Sequence, residues 1–122
     1  MAIEWFSSDA KNGAASFYST NITLNTIASV PLESAYRIQV GLDENKNVVI
    51  QPVSKERMRD GDINGYAIYQ ISIKKTYARI SSVDLMRKVA KALGIVLDEK
   101  PIKYGTTWDV KENILTIHTS SI

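Results

Sequence analysis

The stretch "NITLNTIASVPLESAYRIQVGLDENKNVVIQP", residues 21–52, decides the fold. It opens with apolar and polar residues in alternation, Ile22 and Leu24 on one face, as in a half-buried strand. "TIASVPL" predicts a short turn of helix at most, because Pro31 lacks the N–H that an i→i−4 ladder needs. "YRIQVGL" alternates again, with Tyr36, Ile38, Val40 and Leu42 on one side. "DENKN" closes a hairpin, since Asp and Asn tolerate left-handed backbone and bond their own main chain. "VVIQPV" returns, and Pro52, which cannot donate to a ladder, marks the strand's end or an edge.

Residues 77–119, "YARISSVDLMRKVAKALGIVLDEKPIKYGTTWDVKENILTIHT", follow the same plan. A strand precedes the clearest helix in the chain, about 82–93. Ser81 is the expected cap, Asp84 sits in the first turn, Gly94 ends the helix, and Val83, Met86, Val89, Ala90 and Leu93 form its apolar stripe. A closing hairpin has Asp109 to Asn113 at its tip. Asn25 aligns with Ser81 and Asp43 with Asp109, and the extra residues of the second copy fall on its longer helix and loop. The leaders "NGAASFY" and "NGYAIYQ" also correspond. The expected architecture is α+β and mostly antiparallel β: one domain, 1–122, built as a barrel-like pseudo-twofold pair of βαββ units. The repeats span 13–53 and 65–119, and the polar, glycine-containing 54–64 reads as their linker. A unit of that size buries too little surface alone, so a second copy completes its core. Residues 1–12 are ambiguous between a short edge strand through Ile3, Trp5 and Phe6 and a turn.

The order of strand, helical turn near a proline, strand, tight turn and aliphatic strand ending in proline resembles the swapped-hairpin unit of AbrB- and MazE-type regulators. That resemblance implies a bacterial or archaeal origin, an interlaced barrel, and DNA binding through basic arms and loops. This chain departs from the pattern where Asn25 stands in a position commonly held by proline. It also departs in "SFYSTN", which lacks the Arg and Lys that such regulators direct at DNA.

Composition bounds the rest. Of 122 residues, 44% are hydrophobic and 23% charged, the balance of a folded globular domain. No apolar run reaches the ~20 residues of a membrane helix, and no basic, apolar leader opens the chain, so a cytoplasmic protein without membrane partners is expected. With no cysteine, disulfides, thiolate metal sites and cysteine nucleophiles are excluded. The net charge of +2 is uneven. Residues 1–53 carry three Lys/Arg against five Asp/Glu, and residues 54–122 carry twelve against eight. Basic residues concentrate at Lys55, Arg57, Arg59, Lys74, Lys75, Arg79, Arg87, Lys88 and Lys91.

No catalytic pattern stands out. His118 is the lone histidine and has no metal-ligand spacing, so a surface or strand-filling role is expected. Asp9, Asp43, Glu44, Asp60, Asp62, Asp98, Glu99, Asp109 and Glu112 fall in turn-like segments, where turn chemistry explains them. "DGDING", Asp60 to Gly65, matches the start of a calcium loop, but Ile71 holds the position of its closing Glu, and a flexible linker is the expected reading. There is no phosphate-cradling glycine motif and no nucleophile elbow. No enzyme activity, metal or cofactor is therefore expected. "IKKTYARIS" mixes lysines and arginine with Tyr77, which suits either a phosphate-backbone contact or, preferentially, an edge strand that lysines keep from self-pairing. The expected function is a DNA-binding regulator or accessory protein acting through Lys74, Lys75, Arg79, Arg87, Lys88 and Lys91. The alternative is a protein-interaction or assembly module, pairing with itself or another protein without DNA.

Overall fold

Period-two alternation becomes burial. In β1 (Ala14–Phe17) Ala15 and Phe17 point inward, and in β2 (Asn21–Asn25) Ile22 and Leu24 do, all fully buried. The computed structural model describes residues 3, 13–59, 68–98 and 100–120. Ile3 is exposed; the rest of the 1–12 segment and the Asp60–Gly65 motif lie outside the described residues. Asn25 ends β2 and caps α1 (Thr26–Ser29): its side-chain oxygen accepts from Ala28 N at 3.0 Å and from Ala14 N at 3.1 Å. Pro31 turns the chain into a 3-10 segment, Val30–Leu32, whose Leu32 is fully buried. β3 (Arg37–Leu42) and β4 (Val48–Val53) form the expected hairpin. Pro52 lies within β4 but beyond the part of it that pairs with β9 (Ile114–Ile117), so its missing N–H leaves no gap in that ladder.

Between β4 and the end of the long helix, three expectations are corrected. The start of the 54–64 linker is a short helix, α2 (Lys55–Arg59), with Arg57 N donating to Ser54 Oγ at 3.3 Å. The alternating run "YAIYQISIKKTYARIS", residues 66–81, reads as one persistent strand signal, yet its described part is broken, beginning with β5 (Ile68–Tyr69) and β6 (Ser72–Ile73). Then β7 (Tyr77–Ser81) leads into α3 (Val83–Leu93), whose cap is Ser82, not Ser81. Ser81 is held in the ladder opposite Asn21, and Ser82 Oγ accepts from Leu85 N at 3.1 Å. That frame turns Leu85, Met86 and Val89 into the core and leaves Val83 45% exposed. Gly94 ends α3 as expected, at φ 67°, and β8 (Ile102–Asp109) and β9 complete the sheet.

Among the described residues nine strands run in the order β5-β3-β4-β9-β8-β1-β2-β7-β6, every neighbouring pair antiparallel. The two outermost strands, β5 and β6, are consecutive pieces of one segment. Tyr69 and Ser72 are three residues apart, so their Cα atoms cannot be separated by more than about 11 Å. The sheet must therefore curl until its ends meet, which makes it barrel-like.

The pairings obey a twofold scheme. Ser16↔Thr23 and Phe17↔Ile22 recur 56 residues later as Ser72↔Arg79 and Ile73↔Ala78. Ala15↔Tyr104 has its counterpart in Tyr69↔Ile38. The β3–β4 hairpin corresponds to β8–β9, and the pairs Thr23↔Arg79 and Val49↔Thr116 sit on the axis. Gln70 and Ile71 are the two residues by which β5–β6 exceeds β1 in this scheme. The hairpins correspond down to their backbone: Lys46 and Asn113 both take positive φ, 64° and 58°. Asp43 accepts from Asn45 N and Asn47 N, and Asp109 from Lys111 N and Glu112 N.

The halves join through four strand pairs (β1 with β8, β2 with β7, β3 with β5, β4 with β9), whereas the pairs internal to each half are hairpins. The core is accordingly shared: Phe17, Ile22, Leu32, Ile38 and Ile50 from one half pack with Ile80, Met86, Leu115 and Ile117 from the other. Phe17 meets Tyr104 edge-on at 5.0 Å between ring centroids, and burial pushes the Tyr104 phenol pKa up.

Candidate nucleic-acid interface

The antiparallel β2–β7 pair gives the barrel two ends. At one, β2 runs into α1 and β7 begins, with Thr26 Oγ1 donating to Thr76 O at 2.8 Å. At the other, β7 runs into α3. The cations expected to act together are divided between them. Lys74 and Lys75 occupy the turn at the α1 end, Arg79 projects from the middle of β7, and Arg87, Lys88 and Lys91 lie on α3 at the far end; all six are exposed. A strand the length of β7 spans roughly 13 Å, so these six do not form one patch. The edge-strand reading of "IKKTYARIS" holds for its start and not for its end: Ile73 belongs to β6, the outermost strand of the order, with Lys74 and Lys75 just beyond it, whereas β7 is paired on both sides, with β2 and with β6. Arg79 is held flat on the wall: its Nε donates to Thr23 Oγ1 at 3.4 Å and its guanidinium lies 5.0 Å from the Tyr77 ring centroid. Lys88 pairs with Asp84 at 3.1 Å, and that hydrogen bond raises its pKa.

A different basic group gathers at the α1 end. The β3–β4 ladder extends to Arg37↔Val53, and Tyr36 N donates to Val53 O at 3.1 Å, so the residues just outside the ladder are brought side by side. The Lys55 ammonium consequently sits 5.3 Å from the centroid of the Tyr36 ring, and the Arg37 guanidinium sits 4.3 Å from it. Arg37 also donates to Tyr36 O at 2.8 Å. At an exposed site each such contact is worth about 0.5–1 kcal/mol, enough to orient a long cationic side chain without neutralising it. Beside them Arg57 lines a cleft of about 260 Å³ with Pro31, Ser34, Pro52, Ser54 and Asn113. Glu33 and Glu56 are near in sequence, yet the ion pair between Lys88 and Asp84 is the only one among the described residues. Lys74 and Lys75 open from the same end.

Lys55 and Arg57 are visible in the sequence as part of a basic run, but a run that reads as linker carries no direction. Tyr36 and Arg37 give no signal at all there, because their relation to Lys55 depends on hairpin register. His118 stands exposed after β9, a ring nitrogen 2.6 Å from Thr107 Oγ1 and its backbone N–H donating to Gly105 O. No protein-family model, curated protein or solved structure matches this chain. Among the described residues no helix is long and apolar enough to cross a membrane.

Proposed function

We propose that this chain is a small nucleic-acid-binding protein, a regulator or accessory factor that meets the phosphate backbone of DNA with its α1 end. The observation that carries the reading is the convergence of Arg37 and Lys55 on Tyr36, next to the cleft that Arg57 lines. Cations held by an aromatic ring but unpaired with carboxylates are poised for phosphate, which positions a protein on a duplex without reading its sequence. Lys74 and Lys75 extend the same surface. Arg79, Arg87, Lys88 and Lys91 have no part in it. The resemblance to AbrB- and MazE-type regulators and a cytoplasmic location belong to the same proposal.

Fluorescence anisotropy with mixed-sequence duplex DNA tests it. If about five phosphates are neutralised, log K falls against log salt with a slope of about −4 to −5. Reversing Lys55 and Arg57 to Glu should weaken binding at least about tenfold and flatten that slope by about two. Reversing Lys88 and Lys91 should leave both nearly unchanged. Salt-independent binding, or equal losses from the two pairs of reversals, would refute the assignment.

A further inference from the structure

At the α3 end the barrel wall and the helix do not meet completely. They leave a cleft of about 180 Å³ lined by Val40, Leu42, Val48, Leu85 and Val89, with Tyr69, Lys88 and Ala92 around it. We propose that this cleft binds a short apolar carboxylate, its hydrocarbon chain among those aliphatic side chains and its carboxylate at the Lys88 ammonium.

The twofold scheme shows that the cleft is not imposed by the fold. The pair Leu42↔Val48 corresponds to Trp108↔Leu115 at the other end. There the indole of Trp108 packs against the core, whereas Leu42 remains 43% exposed at the mouth of an open cleft. The chain thus carries a large plug at one end and a small residue at the equivalent position of the other. The volume is close to that of cavities of roughly 150 Å³ that admit a benzene-sized apolar molecule, which suits a chain of about six to eight carbons.

Charge selects an acid as the head group. Of the residues that line the cleft, Lys88 is the one charged group, whereas Arg87 lines a different cleft beside Ser19 and Leu97. Lys88 is held by the Asp84 carboxylate, but both side chains are largely exposed, at 67% and 73%. A pair so open to water exchanges readily, and a ligand carboxylate fixed by its buried chain can share or replace Asp84.

Titration calorimetry of the whole chain with octanoate, octanol and octylamine tests the proposal. Octanoate should bind saturably, octanol more weakly, and octylamine weakest. Leu42→Trp copies the plug of the other end and should weaken octanoate at least about tenfold, on the scale of a lost apolar group. Ala92→Phe fills the cleft from an exposed helix position, where folding is not at risk, and should act in the same direction. Lys88→Met should weaken octanoate about two- to fivefold, the range of an exposed ion pair, and leave octanol unchanged. The proposal is overturned if wild type shows no saturable octanoate binding up to about 10 mM, a threshold near the weak limit of specific affinity. It is equally overturned if Leu42→Trp and Ala92→Phe bind as wild type does, or if octylamine binds as tightly as octanoate.

Discussion

Single side chains set the bends of this molecule, and Asp43 shows how. Its carboxylate accepts from the backbone N–H groups of Asn47 and Asn45, with the Asn47 bond the larger influence, and these hold its pKa below the ordinary 3.8. A carboxyl whose pKa is depressed by folding stabilises the fold at any pH above its unfolded value, and that contribution disappears as pH falls through the lower folded value. Asp43→Asn keeps an acceptor oxygen but no titration. Its melting temperature should therefore fall less than the wild type's between pH 5 and pH 2, which a pair of thermal unfolding series will check; parallel curves would contradict the assignment. Such turn chemistry is legible in "DENKN" because an Asx turn is made by neighbours in the chain. The Tyr36–Lys55 contact is not, since it joins residues brought together only by the register of a hairpin lying between them.

At the scale of elements, α3 depends on its two ends. Ser82 satisfies Leu85 N at the first turn, and Gly94 closes the last with its N–H directed at Ala90 O and Lys91 O. Gly94 holds φ 67°, and a Cβ built there would meet nothing within 4 Å. Gly94→Ala should consequently cost only the backbone penalty of left-handed geometry, about 1 kcal/mol, or a melting-temperature drop of about 4 °C in a domain of this size. A much larger drop would mean a steric clash that the structure does not contain. The existence, type and end of α3 can be read from capping residues and apolar period. Its start cannot: the three-residue spacing to Asp84 favours Ser81 as the cap, until the β2–β7 ladder claims Ser81 and leaves the role to Ser82. The apolar stripe drawn through Val83, Met86 and Val89 passes over Leu85, yet Leu85 is buried and Val83 exposed, because packing against the barrel decides which side of the helix faces inward.

The whole molecule is an interlock. Hairpins from residues 13–53 alternate with hairpins from residues 68–117, so each half's buried surface is completed by the other's. Alternating strands, Asx-rich hairpin tips and a capped helix make that plan legible in outline, because they are local signals repeated in one order. The closure of the wall through β5 and β6 is not legible, since strand order arises from pairing between distant segments. Nor is the use of the two ends, where Tyr36 gathers cations at one and Leu42, in place of a tryptophan, leaves a cleft at the other. An interlock predicts that neither half opens without the other, and native-state hydrogen exchange reads this directly. The slowest amides of β2, β4, β7 and β9 should exchange with a single free energy, equal within about 1 kcal/mol to that of global unfolding. Protection that separates into two tiers, with β2 and β4 retained while β7 and β9 exchange, would mean that the halves fold independently and that no interlock exists.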